Sequence, residues 1–122
     1  MNKELLEKIR KDPNNVDWAS ISIDKKLSES FIREFQDKVD WEYISYRQIL
    51  SENFIREFKD KVNWYWISSN QTLSEEFIIE FQNKVNWYCI KYNEKIKKPY
   101  SKQLQTIINN NILIDQLQNK RF

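Results

Sequence analysis

The amino-acid sequence predicts an all-α protein, namely an α-solenoid of stacked two-helix repeats with capping helices. Three observations lead to this prediction. A 23-residue phrase recurs without gaps, its apolar residues return at the helical period, and the 122-residue chain contains no glycine. A fixed period of this length is typical of solenoid repeats. A β-hairpin fold is hard to build without glycine, which supplies the positive φ of its tight turns.

The repeats set the domain organisation that we expect, a single helical-repeat domain over residues 1–122. Leu27, Leu50 and Leu73 open three full repeats, of which the second reads LSENFIREFKDKVNWYWISSNQT. With 40% apolar and 15% aromatic residues, the chain has enough apolar side chains for one core. The predicted segments are the N-terminal cap with a partial repeat (1–26), the full repeats (27–49, 50–72 and 73–95), and the degenerate repeat with the C-terminal cap (96–122).

The N-terminal segment KELLEKIRK is predicted to form an opening helix, which Pro13 stops because proline cannot continue a helix. A partial repeat follows, in which Trp18 stands 23 residues before Trp41 and the neighbouring apolar residues match as well. These irregular residues are expected to cap one end of the stack.

The first helix of each full repeat begins at a serine. In the first repeat, Phe31 and Phe35 belong to an apolar stripe at the helical period, and Ser28 is a favoured N-cap with an acid in the first turn after it. Glutamate and lysine four residues apart, such as Glu34 and Lys38, are expected to pair on this helix.

The second helix of each repeat begins at Asp40, Asn63 or Asn86, which are all favoured N-caps. A tryptophan and an isoleucine three positions apart, such as Trp41 and Ile44, lie on one side of this helix. An apolar residue before each N-cap and another at the fourth helical position form a hydrophobic staple, which fixes how the chain enters the helix.

Stacking is required because the predicted helices are short. Helices of about 8 to 11 residues are not stable alone, since isolated helices are marginal in water even at about 12 to 15 residues. Neighbouring repeats must therefore share a continuous core, as in other solenoids.

The C-terminal region continues the repeat only in outline. Tyr100 and Leu104 stand 23 residues after Phe77 and Phe81 of the third repeat. Two closing helices with a polar outer face are expected, over residues 99–108 and 112–120.

Side chains that differ from repeat to repeat are the candidates for recognition, because recurring side chains are explained by stacking. They cluster on the second helix and are rich in tyrosine and tryptophan, which are enriched in binding hot spots. The alternative is that these rings fill gaps between adjacent repeats. The predicted partner-binding residues are Tyr43, Tyr46, Tyr65, Trp66, Tyr88 and Tyr92, with Lys97 and Lys98 steering the partner's approach.

Positive charge is concentrated near the C-terminus. Residues 91–122 carry seven basic and two acidic side chains, and the tract KYNEKIKKPYSK interleaves lysines with tyrosines. Such a tract suits phosphate groups or an acidic protein surface. It is also typical of a solvated loop, and the net charge of +2 is low for a dedicated nucleic-acid-binding protein.

Enzymatic chemistry is not expected. The chain has no histidine, one cysteine and no glycine, so it lacks a Ser-His or Cys-His pair, a histidine metal site and a glycine-rich phosphate loop. The glutamates recur with the repeat, whereas a catalytic acid would occur once. We therefore predict no catalytic residue, no metal site and no cofactor, and we interpret Cys89 as an apolar filler.

The phrases LSEEFIIEF, KVNWYCI, KVDWEYIS and LSENFIREF resemble a short tandem helical repeat found in large DNA viruses, phages and AT-rich bacteria. The match covers about residues 14–95. No activity is general to that family, so no functional residue is carried over. The resemblance implies a binding scaffold of viral or mobile-element type, and small phage proteins of this kind are often inhibitors of host defence, including CRISPR effectors.

The sequence thus predicts a non-enzymatic protein-binding module, an inhibitor of a host defence protein that acts by steric occlusion, in the manner of an anti-CRISPR protein. The alternative is a single-stranded nucleic-acid-binding repeat, with bases stacked on the same aromatic rings. The chain is expected in the cytoplasm, in the host cytosol if it is viral, without a membrane segment. Self-association through an imperfectly capped end is a third possibility.

Overall fold

The computed structural model describes residues 1–24 and 26–119, and the described residues form helices and turns without a β-strand. The chain divides into two compact units, Met1–Asn63 and Trp64–Phe122. That residues 1–122 form a single domain stays a prediction. The helices of the first unit are α1 (Lys3–Lys11), α2 (Trp18–Asp24), α3 (Glu29–Glu34), α4 (Trp41–Arg47) and α5 (Glu52–Glu57), and those of the second are α6 (Trp64–Asn70), α7 (Glu75–Glu80), α8 (Trp87–Tyr92) and α9 (Lys102–Asn119).

Helix α1 forms and stops where the sequence predicts. The Asn2 side chain accepts a hydrogen bond from the backbone N–H of Leu5 at 2.7 Å, which caps the start of the helix. The helix ends at Lys11, and Pro13 begins a short 3-10 turn that contacts α1. The predicted opening helix is therefore confirmed.

The first helix of each full repeat is closed at both ends by recurring residues. The hydroxyls of Ser28, Ser51 and Ser74 accept the backbone N–H three residues later, at 3.1 to 3.2 Å. Each helix has six residues and is followed by a C-cap phenylalanine whose φ and ψ, −108° and 31° at Phe35, leave the helical region. The Phe35 carbonyl accepts the N–H groups of both Lys38 and Val39, so the chain turns without glycine. The helices are consequently shorter than predicted.

This early ending changes the ion pairs. Because α3 ends at Glu34, Lys38 lies in the following turn, and the predicted pairing of the two on one helix is wrong. The Arg10 guanidinium instead donates two hydrogen bonds of 2.8 Å to Glu34, and Lys38 donates to Asn14 at 2.7 Å. The hydrogen bonds from Arg10 lower the pKa of the Glu34 carboxyl. These contacts join the N-terminal segment to the first full repeat, and their solvent exposure makes each worth little to stability.

Aromatic rings pack each second helix onto the following repeat. In the first unit, the Trp41 ring lies 6.2 Å from Phe54 and 5.1 Å from Phe58, measured between ring centroids. In the second unit, Trp64 lies 6.2 Å from Phe77 and 5.0 Å from Phe81. The same geometry returns because the same residues recur.

Buried hydrogen bonds accompany this packing. The side-chain amide of Gln48 donates to the Ser22 carbonyl at 2.7 Å, and its oxygen accepts the backbone N–H of Leu27 at 2.9 Å. The Ser22 hydroxyl accepts the N–H of Asp40, the N-cap of α4, at 3.1 Å. Ser68 does the same for Asn86, the N-cap of α8, at 2.9 Å. These hydrogen bonds fix α4 to α2 in the first unit and α8 to α6 in the second.

Consecutive second helices pack side by side, α2 on α4 in the first unit and α6 on α8 in the second. Within each unit, helix pairs follow one another in chain order over a shared apolar core. The predicted fold class, all-α with stacked two-helix repeats as in an α-solenoid, is confirmed.

The C-terminal region differs from the prediction in two ways. One continuous helix, α9, replaces the two predicted helices, and the Asn111 side chain donates to the Ile107 carbonyl within it at 2.8 Å. The residues of α9 that correspond to the repeat also lie later in the sequence than predicted. Ser101 bonds to Glu75 across 26 positions, whereas Ser51 bonds to Glu29 across 22.

The shift of register follows from the extra residues in the loop before α9. The Ser101 hydroxyl accepts the N–H of Leu104 at 3.1 Å, so Leu104 takes the place that Phe77 has in the third repeat. Leu104, Ile108 and Ile112 are the buried residues of α9, which packs on α8. Lys120, the predicted end of the second closing helix, lies outside the described residues.

Candidate partner-binding surface

The predicted partner-binding residues of the first unit lie on α4. Tyr43 is 37% exposed. Tyr46 is half-buried, and the Arg47 guanidinium lies 5.4 Å from the centre of its ring. These two tyrosines therefore present partial ring surfaces to solvent.

The second unit brings three of the predicted residues together. Tyr65 on α6, and Tyr88 and Tyr92 on α8, line one open groove, and their exposed fractions are 51%, 39% and 69%. We call this surface the tyrosine groove. Its lining residues are Tyr65, Ser69, Asn86, Tyr88, Cys89 and Tyr92.

The repeat explains why these tyrosines face outward. Ile67 and Ile90 are fully buried recurring residues, and they hold α6 and α8 in the core. Tyr65 and Tyr88 each precede one of them by two positions, which places them about 200° away around the helix. Tyr92 follows Ile90 by two positions and faces outward for the same reason. The core positions thus fix which side of each helix is available.

Trp66 is not among the lining residues but packs against one of the groove's tyrosines. It is half-buried, and its ring lies edge-on to Tyr65 with 4.8 Å between ring centroids and an interplanar angle of 88°. Cys89 lines the groove, and its partial burial raises the pKa of its thiol, against the opposing effect of a hydrogen bond with Tyr65. A thiol with a raised pKa is a poor nucleophile at neutral pH, in keeping with a packing role.

A second groove adjoins the tyrosine groove and is lined by one acidic and one basic side chain. The two grooves share Ser69 and Tyr92, and the second is also lined by Glu94 and Lys95. The Lys91 ammonium lies 5.4 Å from the centre of the Tyr92 ring. Lys91 and Lys95 were not among the predicted site residues, although they belong to the lysine tract that the sequence singles out.

The predicted steering residues lie elsewhere on the tract. Lys97 is exposed and lines a different groove, beside Pro99 and Tyr100. Lys98 is exposed, with its ammonium 5.8 Å from the centre of the Tyr100 ring. Neither lines the tyrosine groove.

Tyr100 anchors the lysine tract to α8. Its hydroxyl donates to the Ile90 carbonyl at 2.9 Å, beside the Lys91 carbonyl at 3.2 Å. Burial raises the pKa of this phenol, and the negative charge of Glu75 raises it further. The tyrosine therefore stays protonated and holds the end of the tract against α8.

The described residues contain neither a metal-binding cluster nor an unsatisfied buried polar side chain. Across residues 1–24 and 26–119, no three side chains of the metal-binding types are grouped closely enough to hold an ion. The described helices include none with both the length and the apolar character needed to cross a bilayer. Every buried side-chain nitrogen or oxygen in this part of the chain has a hydrogen-bond partner.

Comparison of the chain with protein-family models, curated proteins and solved structures finds no match. The resemblance to the viral and bacterial helical repeat therefore stays a prediction, and the functional proposal rests on the groove and its residues.

Proposed function

We propose that this chain is a non-enzymatic helical-repeat module that binds another protein through the tyrosine groove. The observation that supports the proposal is the exposure of Tyr65, Tyr88 and Tyr92 around one groove. Tyrosine combines a large apolar ring with a hydroxyl, and it loses little side-chain entropy when a partner orders it. Rings placed in this way are a common basis of protein recognition.

Recurring and varying side chains of the second helices differ in their exposure to solvent, which supports the same proposal. The recurring isoleucines of α6 and α8 are fully buried, whereas the side chains that vary between repeats remain in contact with solvent. Stability does not require an exposed tyrosine at these positions, since Ala19 and Glu42 stand at the corresponding places in earlier repeats. The tyrosines are thus available for a partner.

We extend the proposal to inhibition by steric occlusion. A stack of short helices held by aromatic packing and buried hydrogen bonds is suited to covering a partner's surface, and its groove offers contact area without a catalytic group. The target in this proposal is a host defence protein, as the sequence resemblance implies.

Single-stranded nucleic-acid binding is the rival function, because lysines and tyrosines also alternate along the tract that borders the groove. Binding to a labelled oligothymidylate should then weaken steeply with salt, as phosphate contacts release counterions. A contact based mainly on tyrosine rings would change far less.

A site-specific photocrosslink tests the proposed function. Benzoylphenylalanine is placed at Tyr88 in the groove and, as the control, at the exposed Ser30 on α3. We expect a discrete covalent adduct between this chain and its partner protein from position 88 only. Adding Tyr65→Ala and Tyr92→Ala should reduce its yield by about 30-fold or more, the effect of losing about 2 kcal/mol at a hot spot. An equal adduct from position 30, or one unaffected by both substitutions, would disprove the proposal. A nuclease-sensitive adduct would favour the rival.

A further inference from the structure

We infer that the tyrosine groove takes an extended acidic segment of the partner protein, in which carboxylates lie next to an aromatic or other large apolar side chain. This inference rests on the proposed function and specifies the chemistry of the partner. It follows from the continuity between the tyrosine groove and the neighbouring groove that contains Lys95.

The first step is the charge beside the groove. Residues 91–102 contain five lysines and one glutamate. Lys91 and Lys95 are exposed, and among the described residues neither ammonium is within ion-pair distance of a carboxylate. Glu94, which lines the same groove as Lys95, offsets one of the positive charges of residues 91–102, and the remaining excess of lysine favours an anionic partner.

The second step is the path between the two grooves. Ser69 and Tyr92 belong to both linings, so a chain that lies across the tyrosine rings continues past Tyr92 toward Lys95. Lys91 contacts the same Tyr92 ring. An extended segment would therefore meet ring surfaces first and ammonium groups next. Apolar and acidic residues in succession match that order.

The third step favours a protein segment over a nucleic acid. Residues 64–119 contain six lysines, no arginine and five acidic side chains, which is a small excess of charge for a polyanion. Arginine, which stacks on bases and also binds phosphate through two parallel hydrogen bonds, is missing from this stretch.

Selection from a peptide library tests this inference on the full chain. A displayed library of random 12-residue peptides is selected against the wild-type protein and, separately, against a Tyr65→Ala/Tyr92→Ala variant. We expect peptides recovered from the wild type alone to combine an aromatic or large aliphatic residue with at least two Asp or Glu side chains. Recovered peptides without an acidic excess over the unselected library would overturn the inference.

Charge reversal then tests the role of the lysines. For the tightest recovered peptide, Lys91→Glu/Lys95→Glu should weaken binding by about tenfold or more, because it replaces attraction by repulsion. Lys3→Glu/Lys8→Glu on α1 is the charge-matched control, expected to change binding by less than about twofold, because neither lysine lines either groove and exposed charges are screened at about 0.15 M salt. Circular dichroism checks that both variants keep their helix content. An equal effect of both variants would refute the inference.

The outcomes separate this inference from the proposed function. If the selected peptides depend on the tyrosines but neither carry acidic residues nor respond to Lys91→Glu/Lys95→Glu, the acidic partner is wrong and the groove remains a protein-binding site. If no selected peptide depends on Tyr65 and Tyr92, the groove is not the binding site and both proposals fail. Tighter binding of an oligothymidylate than of any peptide would assign the surface to nucleic acid.

Discussion

Truncation of Phe77 to alanine is expected to lower the free energy of unfolding by about 3 to 5 kcal/mol, the range for removing a large aromatic side chain from a core. Phe77 is fully buried, and its ring packs between Trp64 and Phe81 at centroid distances of 6.2 and 4.7 Å. The substitution would leave a cavity that both neighbours border. Urea denaturation followed by circular dichroism measures the loss.

Phe77→Leu is the matched control, since leucine keeps much of the apolar volume at the same position. It should cost clearly less than alanine, about 1 to 2 kcal/mol, because less volume is removed. Equal losses from both variants would mean that the aromatic cluster does not hold α7 against α6 through its packing.

Replacement of Gln48 by alanine is expected to lower the free energy of unfolding by about 2 to 4 kcal/mol. The Gln48 side chain is buried and bridges the Leu27 N–H to the Ser22 carbonyl, at 2.9 and 2.7 Å. Alanine would leave both backbone groups buried without this partner, and each unsatisfied buried group costs about 1 to 3 kcal/mol. Urea denaturation again gives the value, and hydrogen exchange of the Leu27 amide should accelerate.

The control for Gln48 is Gln103→Ala on the exposed side of α9. That substitution removes the same side chain from a solvent-exposed position and should change stability by no more than about 0.5 kcal/mol. If Gln48→Ala were equally mild, the buried amide would not be fixing α2 to α4.

Much of the fold could be predicted because the 23-residue repeat is evident in the amino-acid sequence. Ser28, Ser51 and Ser74 cap their helices as expected, since capping depends on residues only a few positions apart. Helix lengths were predicted less well, because the phenylalanine that ends each first helix also belongs to its apolar stripe. Nothing local to the sequence distinguishes those two roles.

The buried polar contacts were missed although a signal existed. Gln48 and Gln71 are 23 residues apart, as are Ser22 and Ser45, so these polar residues recur as strictly as the apolar ones. A polar residue that recurs among buried apolar positions indicates a buried hydrogen bond to a neighbouring repeat. The register of α9 lacked such a signal, since it depends on extra residues in the preceding loop.

The exposure of the candidate residues was predicted in part, and their role in binding stays a prediction. The variable positions correctly pointed to exposed rings at Tyr65, Tyr88 and Tyr92. The sequence could not show that Lys95, and not Lys97, lies beside those rings, because that depends on how the loop after α8 folds back. Spacing along a helix predicts a face, whereas the path of a loop depends on tertiary contacts.

The central claim is that side chains recurring in every repeat hold the stack together, while those that vary are free for recognition. Ile90 and Tyr88 test it on one helix, two positions apart, by the unfolding free energies of their alanine variants in urea. We predict a loss of about 2 to 4 kcal/mol for Ile90→Ala, which empties a core position, and less than about 1 kcal/mol for Tyr88→Ala. A loss for Tyr88→Ala as large as that for Ile90→Ala would contradict the claim, since the tyrosine would then belong to the core.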